Sequence, residues 1–263
     1  WRVNPTPRRN HDFEQALTNR RLADHVADFN LVYSEHARRN LLGEGLAPRR
    51  ILLTGSPMRE VLDFYRPDID ASDILDRLDL NDRRYFLVSA HREENVDSPA
   101  RLLQLLQCLV AVRDAFGLPC LVSTHPRTRK RLDAFATDIG LDNIIFHEPF
   151  GFHDYNKLQL HAACVLSDSG TIAEESTILG FPAVTLRDSI ERPEALDTGG
   201  IMMTGLDPDN ALLAVRTCIL EDPEQRMTTL PSCYDISNTS ERVVKFMVST
   251  AMRSNTWHGI RST

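Results

Sequence analysis

The sequence predicts an α/β fold built on a parallel sheet. From Tyr85 onward, short apolar runs alternate with stretches of helical spacing, the signature of successive βαβ units. Each run stops at Ser, His, Asp, Arg or Glu, and ligands of such sheets sit at the carboxyl ends of the strands. The chain of 263 residues is long enough for one large or two modest domains.

The elements follow in order. Asn19 to Ala27 has helical spacing through Leu22 and Val26, and Phe29 to Tyr33 reads as a strand. Ser34 is placed to N-cap a helix running through Leu41 and Leu42, which Gly43 and Gly45 end. Ile51 to Thr54 is a strand closed by Gly55-Ser56-Pro57, and Arg59 to Tyr65 continues as helix. Pro67 to Arg84 is rich in charge, carries a short helix from Ile74 to Leu78, and is the best linker candidate. Four strand–helix pairs come next: Tyr85 to Ser89 with Pro99 to Phe116, Pro119 to Ser123 with Arg127 to Ala136, Asn143 to Phe146 with Tyr155 to Ala162, and Ala163 to Leu166 with the helix through Ile172 and Leu179. Phe181 to Leu186 and Ile201 to Met203 complete the strands, with helices at Asp209 to Leu220 and Ser237 to Met252.

The centre of this pattern is Val165 to Glu175, where a strand feeds a helix through Ser167-Asp168-Ser169-Gly170. Such a turn leaves free N–H groups and a positive dipole end, which suits a phosphate, and Gly170 allows close approach to the backbone. Glu174 and Glu175 lie about one turn into the helix, where a carboxylate suits sugar hydroxyls better than phosphate. The same stretch also reads as an ordinary strand–helix turn with Asp168 or Ser169 as N-cap. At the other strand ends the candidates are Ser89, His91 and Arg92; Ser123 and His125; His147 and Glu148; and Arg187 and Asp188. A lone His after a strand is usually structural. His91 and His125, each with an Arg close in sequence, together with several helix N-termini, point to an anionic ligand, for which a nucleotide diphosphate is the commonest choice.

Composition sets the outer bounds. Apolar content of 42% and charged content of 25% are those of a globular protein, and no apolar run approaches the length of a membrane span. A net charge of −7 argues against a general nucleic-acid binder while allowing a local anion site. Cys108, Cys120, Cys164, Cys218 and Cys233 are scattered, mostly within apolar runs, and lack metal-ligand spacing; they read as buried thiols of a cytoplasmic protein. The start, Trp1 to Asp12, is polar and patternless, and its lack of an initiator Met suggests a truncation or boundary.

Ser89-Ala-His91-Arg92-Glu-Glu-Asn95, Ser167-Asp-Ser-Gly170 with Glu174-Glu175, and Glu191-Arg-Pro-Glu194 occur in this order, preceded by Gly55-Ser-Pro57. In these motifs the chain resembles the non-hydrolysing UDP-N-acetylglucosamine 2-epimerases, from about Thr18 to the C-terminus. The forms His91-Arg-Glu-Glu-Asn-Val-Asp97 and Phe150-Gly-Phe-His-Asp-Tyr-Asn156 look most like the branch that forms UDP-N-acetyl-L-fucosamine for surface polysaccharides. The resemblance implies the C-terminal, UDP-binding half of a GT-B-like pair of Rossmann-like domains. Residues 61–236 would form that domain, 1–60 a remnant of the N-terminal one (1–15 irregular), and 237–263 a helix and tail packing back on the remnant. It further implies an isomerase that needs no cofactor: the C2 proton of a UDP-N-acetylhexosamine is removed, UDP leaves to give a glycal-type intermediate, and UDP returns as the proton is delivered to the opposite face. Carried over residue by residue, His91 is the catalytic-site histidine. Ser169 and Gly170 hold the diphosphate, Glu175 binds the ribose hydroxyls, and Arg192 lies by the phosphates. Arg92, His125, Tyr155 and Thr171 complete the substrate-binding set.

The departures matter as much. The family's N-terminal domain, with a sugar-contacting Asp and Glu, would precede Thr18, and where the family reads Pro-Glu-Glu this chain reads Gln15-Ala16-Leu17. Ala16 cannot move a proton. The expectations are therefore a UDP-sugar 2-epimerase; alternatively a catalytically incomplete UDP-binding fragment, an epimerase acting on the 6-deoxy-talose sugar, or a GT-B glycosyltransferase. The strands at Phe29–Tyr33 and Ile51–Thr54 would have lost sheet neighbours, which predicts a homodimer. Neither nucleic acid nor a membrane is expected as a partner.

Overall fold

The computed structural model describes residues 18–124, 140–190 and 192–257. The polar start, positions 15–17, His125 and the helix expected from Arg127 to Ala136 lie outside the described residues. The chain divides into two compact units, one made of residues 1–57 and 236–263, the other of 58–235.

The smaller unit is built on two parallel strands, β1 (Asn30–Val32) and β2 (Ile51–Leu53), with Leu31 opposite Leu52. Helical turns at 18–26 precede them, and helix Glu35–Gly43 connects them. Ser34 caps that helix as its position predicts, its Oγ accepting from Ala37 N at 3.1 Å. Val32, Leu41, Leu46 and Ile51 form the core. Helix Thr239–Thr250 packs on the same unit: Phe246 meets Phe29 edge-to-face at 4.9 Å, Thr239 Oγ1 donates to Ser56 O at 3.1 Å, and Arg242 Nη1 donates to Thr54 O at 3.2 Å. Gly55, with φ +85°, leaves no room for a Cβ, which would fall 2.5 Å from Ile236.

The larger unit holds a six-stranded parallel sheet: β3 (Phe86–Ser89), β4 (Cys120–Ser123), β5 (Ile144–His147), β6 (Cys164–Ser167), β7 (Ala183–Thr185) and β8 (Met202–Met203). Their spatial order is β5-β4-β3-β6-β7-β8, so the order reverses between β3 and β6. That reversal is the topological switch point at which open α/β sheets bind ligands. Strand residues of one parity, Phe86, Val88, Cys120, Val122, Cys164, Leu166 and Val184, pack with Leu102, Leu106, Leu109, Ala211 and Val215 of helices Pro99–Phe116 and Pro208–Leu220. On the other face Tyr85 reaches helix Phe152–His161, donating its hydroxyl to Leu158 O at 2.7 Å. Burial on both faces is why β3, β4, β6 and β7 read as unbroken apolar runs.

The linker reading of Pro67 to Arg84 is corrected. The stretch forms helices Arg66–Ala71 and Ile74–Arg77, and Ile69 and Ile74 are buried. Asp154, in helix Phe152–His161, ties them down by accepting from Ser72 Oγ and Arg77 Nη2, both at 2.6 Å. One apolar anchor per short helix is enough here because polar side chains supply the remaining bonds. Cys108, Cys120, Cys164 and Cys218 are buried free thiols, and burial pushes Cys108 and Cys120 up to about 12, as befits inert structural cysteines. Among the described residues, no helix is long and apolar enough to cross a membrane, and no group of three His, Cys, Asp or Glu side chains is arranged to hold a metal.

Candidate functional site

The site forms where β3 and β6, adjacent and parallel, end side by side, with Ser89 opposite Ser167. Beyond them the chain turns away in two loops, 90–92 and 168–171. Asp168 joins the loops. Its carboxylate is fully buried and accepts from His91 N at 3.1 Å, Arg92 N at 3.0 Å and Asn95 Nδ2 at 3.0 Å. Asp168 is therefore not the N-cap of the following helix, as one reading of the sequence had it; its carboxylate turns across to the neighbouring strand end. Ser169 is not the cap either. Helix Ile172–Leu179 has Thr171 in the N-cap position, whose own side chain makes no capping bond, while Ser169 Oγ pairs with Thr171 Oγ1 at 3.0 Å and accepts from Thr171 N at 3.3 Å, just ahead of the helix. The helix thus presents its positive end to the switch point.

Gly170 stands at that end. A Cβ there would meet only the guanidinium of Arg92, whose Nη2 lies 3.9 Å away. The loop after β3 and the helix after β6 thereby bring a cation and a helix N-terminus to one point, with no side chain between them. That pairing suits a doubly charged anion such as a diphosphate.

Further along, the helix carries two carboxylates with different partners. Glu174 is buried and accepts from Arg192 Nη1 at 2.7 Å. Glu175 Oε2 accepts from Gln159 Nε2 at 2.6 Å. Tyr155, one turn before Gln159 on helix Phe152–His161, hydrogen-bonds Ser89 and Gln159; burial nonetheless pushes its phenol above its ordinary range. Ser89 Oγ lies 3.3 Å from His91 Nδ1, with the imidazole half exposed. The arrangement runs from a candidate anion site at Gly170 and Arg92, past a histidine, to a carboxylate–amide pair suited to vicinal hydroxyls.

Of the residues expected from the sequence, His91, Arg92, Ser169, Gly170 and Thr171 gather at the two loops, and Tyr155, Glu175 and Arg192 line the flank. His125 lies outside the described residues. His147 turns to local partners: its Nδ1 is 2.7 Å from Glu148 O, and its ring stacks on Phe150 at 4.3 Å. Asp188 pairs with Arg101 at 2.8 Å. Gln159, Asn95 and Arg101 were not foreseen. Gln159 could have been found from its i+4 spacing to Tyr155, which puts both on one helix face. Asn95 stands in the Ser89–Asn95 motif, which marks the loop without assigning the residue a role, and Arg101 carries no such signal.

The description "UDP-N-acetylglucosamine 2-epimerase" belongs to the family model that matches residues 13–248. A curated protein from Methanococcus maripaludis with that name is 32% identical over 205 residues, covering 75% of this chain and 56% of its own length. Among solved structures, the UDP-N-acetylglucosamine 2-epimerase of Rickettsia bellii superposes with a TM-score of 0.81 at 39% identity, over 90% of this chain and 64% of that one. The Methanocaldococcus jannaschii UDP-GlcNAc 2-epimerase, solved in complex with UDP-GlcNAc and UDP, superposes with a TM-score of 0.79 at 27% identity, over 88% and 64%. This chain therefore spans less than two thirds of the length of these relatives.

Proposed function

We propose that this chain, which belongs to the UDP-N-acetylglucosamine 2-epimerase family, binds UDP and UDP-N-acetylhexosamines and serves their interconversion at C2. The observation that carries this reading is the meeting of Arg92 with the uncapped N-terminus of helix Ile172–Leu179 at Gly170, on the switch point of the sheet. Elimination of UDP leaves charge on the departing diphosphate. A preorganised cation and a set of N–H donors stabilise that charge without reorganising. Ser169 and Gly170 hold the phosphates, with Thr171 beside them, and Arg192, now bound to Glu174, is close to the same helix end. Glu175, oriented by Gln159, takes the ribose hydroxyls, and His91 faces the sugar side. Catalysis further needs a carboxylate near C2, and Ala16 stands where the family carries one candidate. Binding without turnover is the second reading for that reason. The same proposal includes a homodimer and a cytoplasmic location.

Titration with UDP in a calorimeter, alongside incubation with UDP-N-acetylglucosamine in D2O, tests both readings. UDP binding with loss of the C2 proton signal supports an epimerase. UDP binding without exchange, for this sugar and for the 6-deoxy-talose sugar, leaves a binding module. Absence of UDP binding would sink the proposal.

A further inference from the structure

We propose that Asp168 is the positioning residue of this site: its carboxylate, sealed between two strand ends, fixes the backbone at His91 and Arg92 and so sets where the imidazole and the guanidinium stand. The inference rests on reading the site as one for a nucleoside diphosphate.

A fully buried carboxylate is costly unless its oxygens are satisfied. Asp168 meets that cost with three N–H donors, all from the loop and turn that follow β3: His91 N on Oδ1, and Arg92 N and Asn95 Nδ2 on Oδ2. Two of the donors lie just ahead of the short helix Glu93–Val96 and the third within it, so the side chain that follows β6 fixes the turn that follows β3. Asn95 is fixed in turn. Its Oδ1 accepts from Arg101 Nε at 3.1 Å and Nη2 at 2.9 Å, and Arg101 Nη2 also pairs with Asp188 Oδ2 at 2.8 Å. A line of charge-assisted bonds thus crosses the ends of β3, β6 and β7.

This has two consequences for ligand binding. The N–H groups of His91 and Arg92 are already committed, as are those of Ser169, to Ser167 Oγ at 3.0 Å, and of Thr171, to Ser169 Oγ at 3.3 Å, so a diphosphate takes its backbone donors from Gly170 and the first turn of helix Ile172–Leu179, and only the guanidinium of Arg92 from the other side. Asp168 is also the residue immediately before Ser169 and Gly170. One side chain therefore anchors both halves of the anion site and fixes the distance between them. Toward His91 it acts at a distance, since Oδ1 lies 3.9 Å from Nδ1, and the ring's own hydrogen bond goes to Ser89.

Asp168→Asn keeps the shape of the side chain and replaces one acceptor by a donor that confronts an N–H. In the full chain, the amides of His91 and Arg92 should lose hydrogen-exchange protection and shift in 15N–1H spectra, and the 15N shifts of the His91 ring should move. UDP affinity should fall by about tenfold or more, as a small misplacement of a binding group does. Arg101→Gln, at the rim of the network, should weaken UDP in the same direction by less, and it serves as the test if Asp168→Asn does not fold. Unchanged His91 and Arg92 amides would overturn the proposal. So would lost protection with UDP affinity intact, since Asp168 would then only stitch the fold. A wild-type chain that does not bind UDP refutes the functional reading alone; the amide and imidazole signals still decide whether Asp168 positions the loop.

Discussion

Two glycines with opposite surroundings illustrate how single residues divide between fold and function. At Gly170 an added Cβ would touch only Arg92 Nη2, at 3.9 Å, an ordinary van der Waals distance. Gly170→Ala should therefore change stability by no more than about 0.5 kcal/mol. It should still weaken UDP, because the methyl group stands where a phosphate oxygen would approach the backbone; a tenfold loss corresponds to about 1.4 kcal/mol. At Gly200 the same atom would lie 2.5 Å from Thr177 Cγ2, 3.1 Å from Thr229 Oγ1 and 3.2 Å from Thr229 O. Gly200→Ala should cost about 1–3 kcal/mol, as overpacking does. Thermal melts combined with UDP titration separate the two, and equal melting points would contradict the packing argument. At this scale the strand–helix turn through Ser169 and Gly170 was legible in the sequence because turn chemistry is local. The role of Asp168 was not, since its bond to His91 joins residues 77 positions apart and nothing in either loop announces the other.

At the scale of elements, the inner strands of the larger unit were legible because burial on both faces keeps them apolar up to their polar carboxyl ends. The stretch Pro67 to Arg84 was not, because its two short helices are held by side-chain bonds to a helix far along the chain. Asp154 is the centre of that attachment. Its hydrogen bond from Ser72, and then the bond and charge of Arg77, hold its carboxyl below the ordinary 3.8. A depressed folded-state value means that the stabilisation is present above the unfolded value and is lost as pH falls through the folded one. Asp154→Asn should cost about 0.5–1 kcal/mol at pH 7, the scale of a well-formed but partly solvated pair. The deficit should stay level down to about pH 5 and narrow as pH falls past the unfolded carboxyl value toward the lower folded one. Urea melts of both proteins at pH 7, 5 and 3 read this directly. A deficit as large at pH 3 as at pH 7 would show that shape and not charge holds these helices.

Over the whole molecule, the two units have very different resources. The larger encloses a six-stranded sheet packed on both faces, whereas the described core of the smaller is four side chains around two parallel strands, with Leu31 and Leu53 partly exposed. Two strands alone are marginal in water, so helix Thr239–Thr250, with Phe246 against Phe29, must supply much of what keeps this unit folded. Local opening follows such differences in burial. In hydrogen exchange, amides of Asn30–Val32 and Ile51–Leu53 should therefore exchange well before those of Phe86–Ser89 and Cys164–Ser167. Saturating UDP at about a hundred times its Kd should slow the second pair of strands, by up to about 2.7 kcal/mol in opening free energy, and leave the first pair nearly unchanged. The same experiment tests the expected homodimer. An open strand edge that pairs with a second copy gains protection with concentration, so exchange at Asn30–Val32 or Ile51–Leu53 should slow as the protein is concentrated, with the dimer mass seen in light scattering. A monomer at all concentrations, with these strands as protected as the larger sheet, would mean that the smaller unit satisfies its own edges and that the expected pairing of copies is wrong.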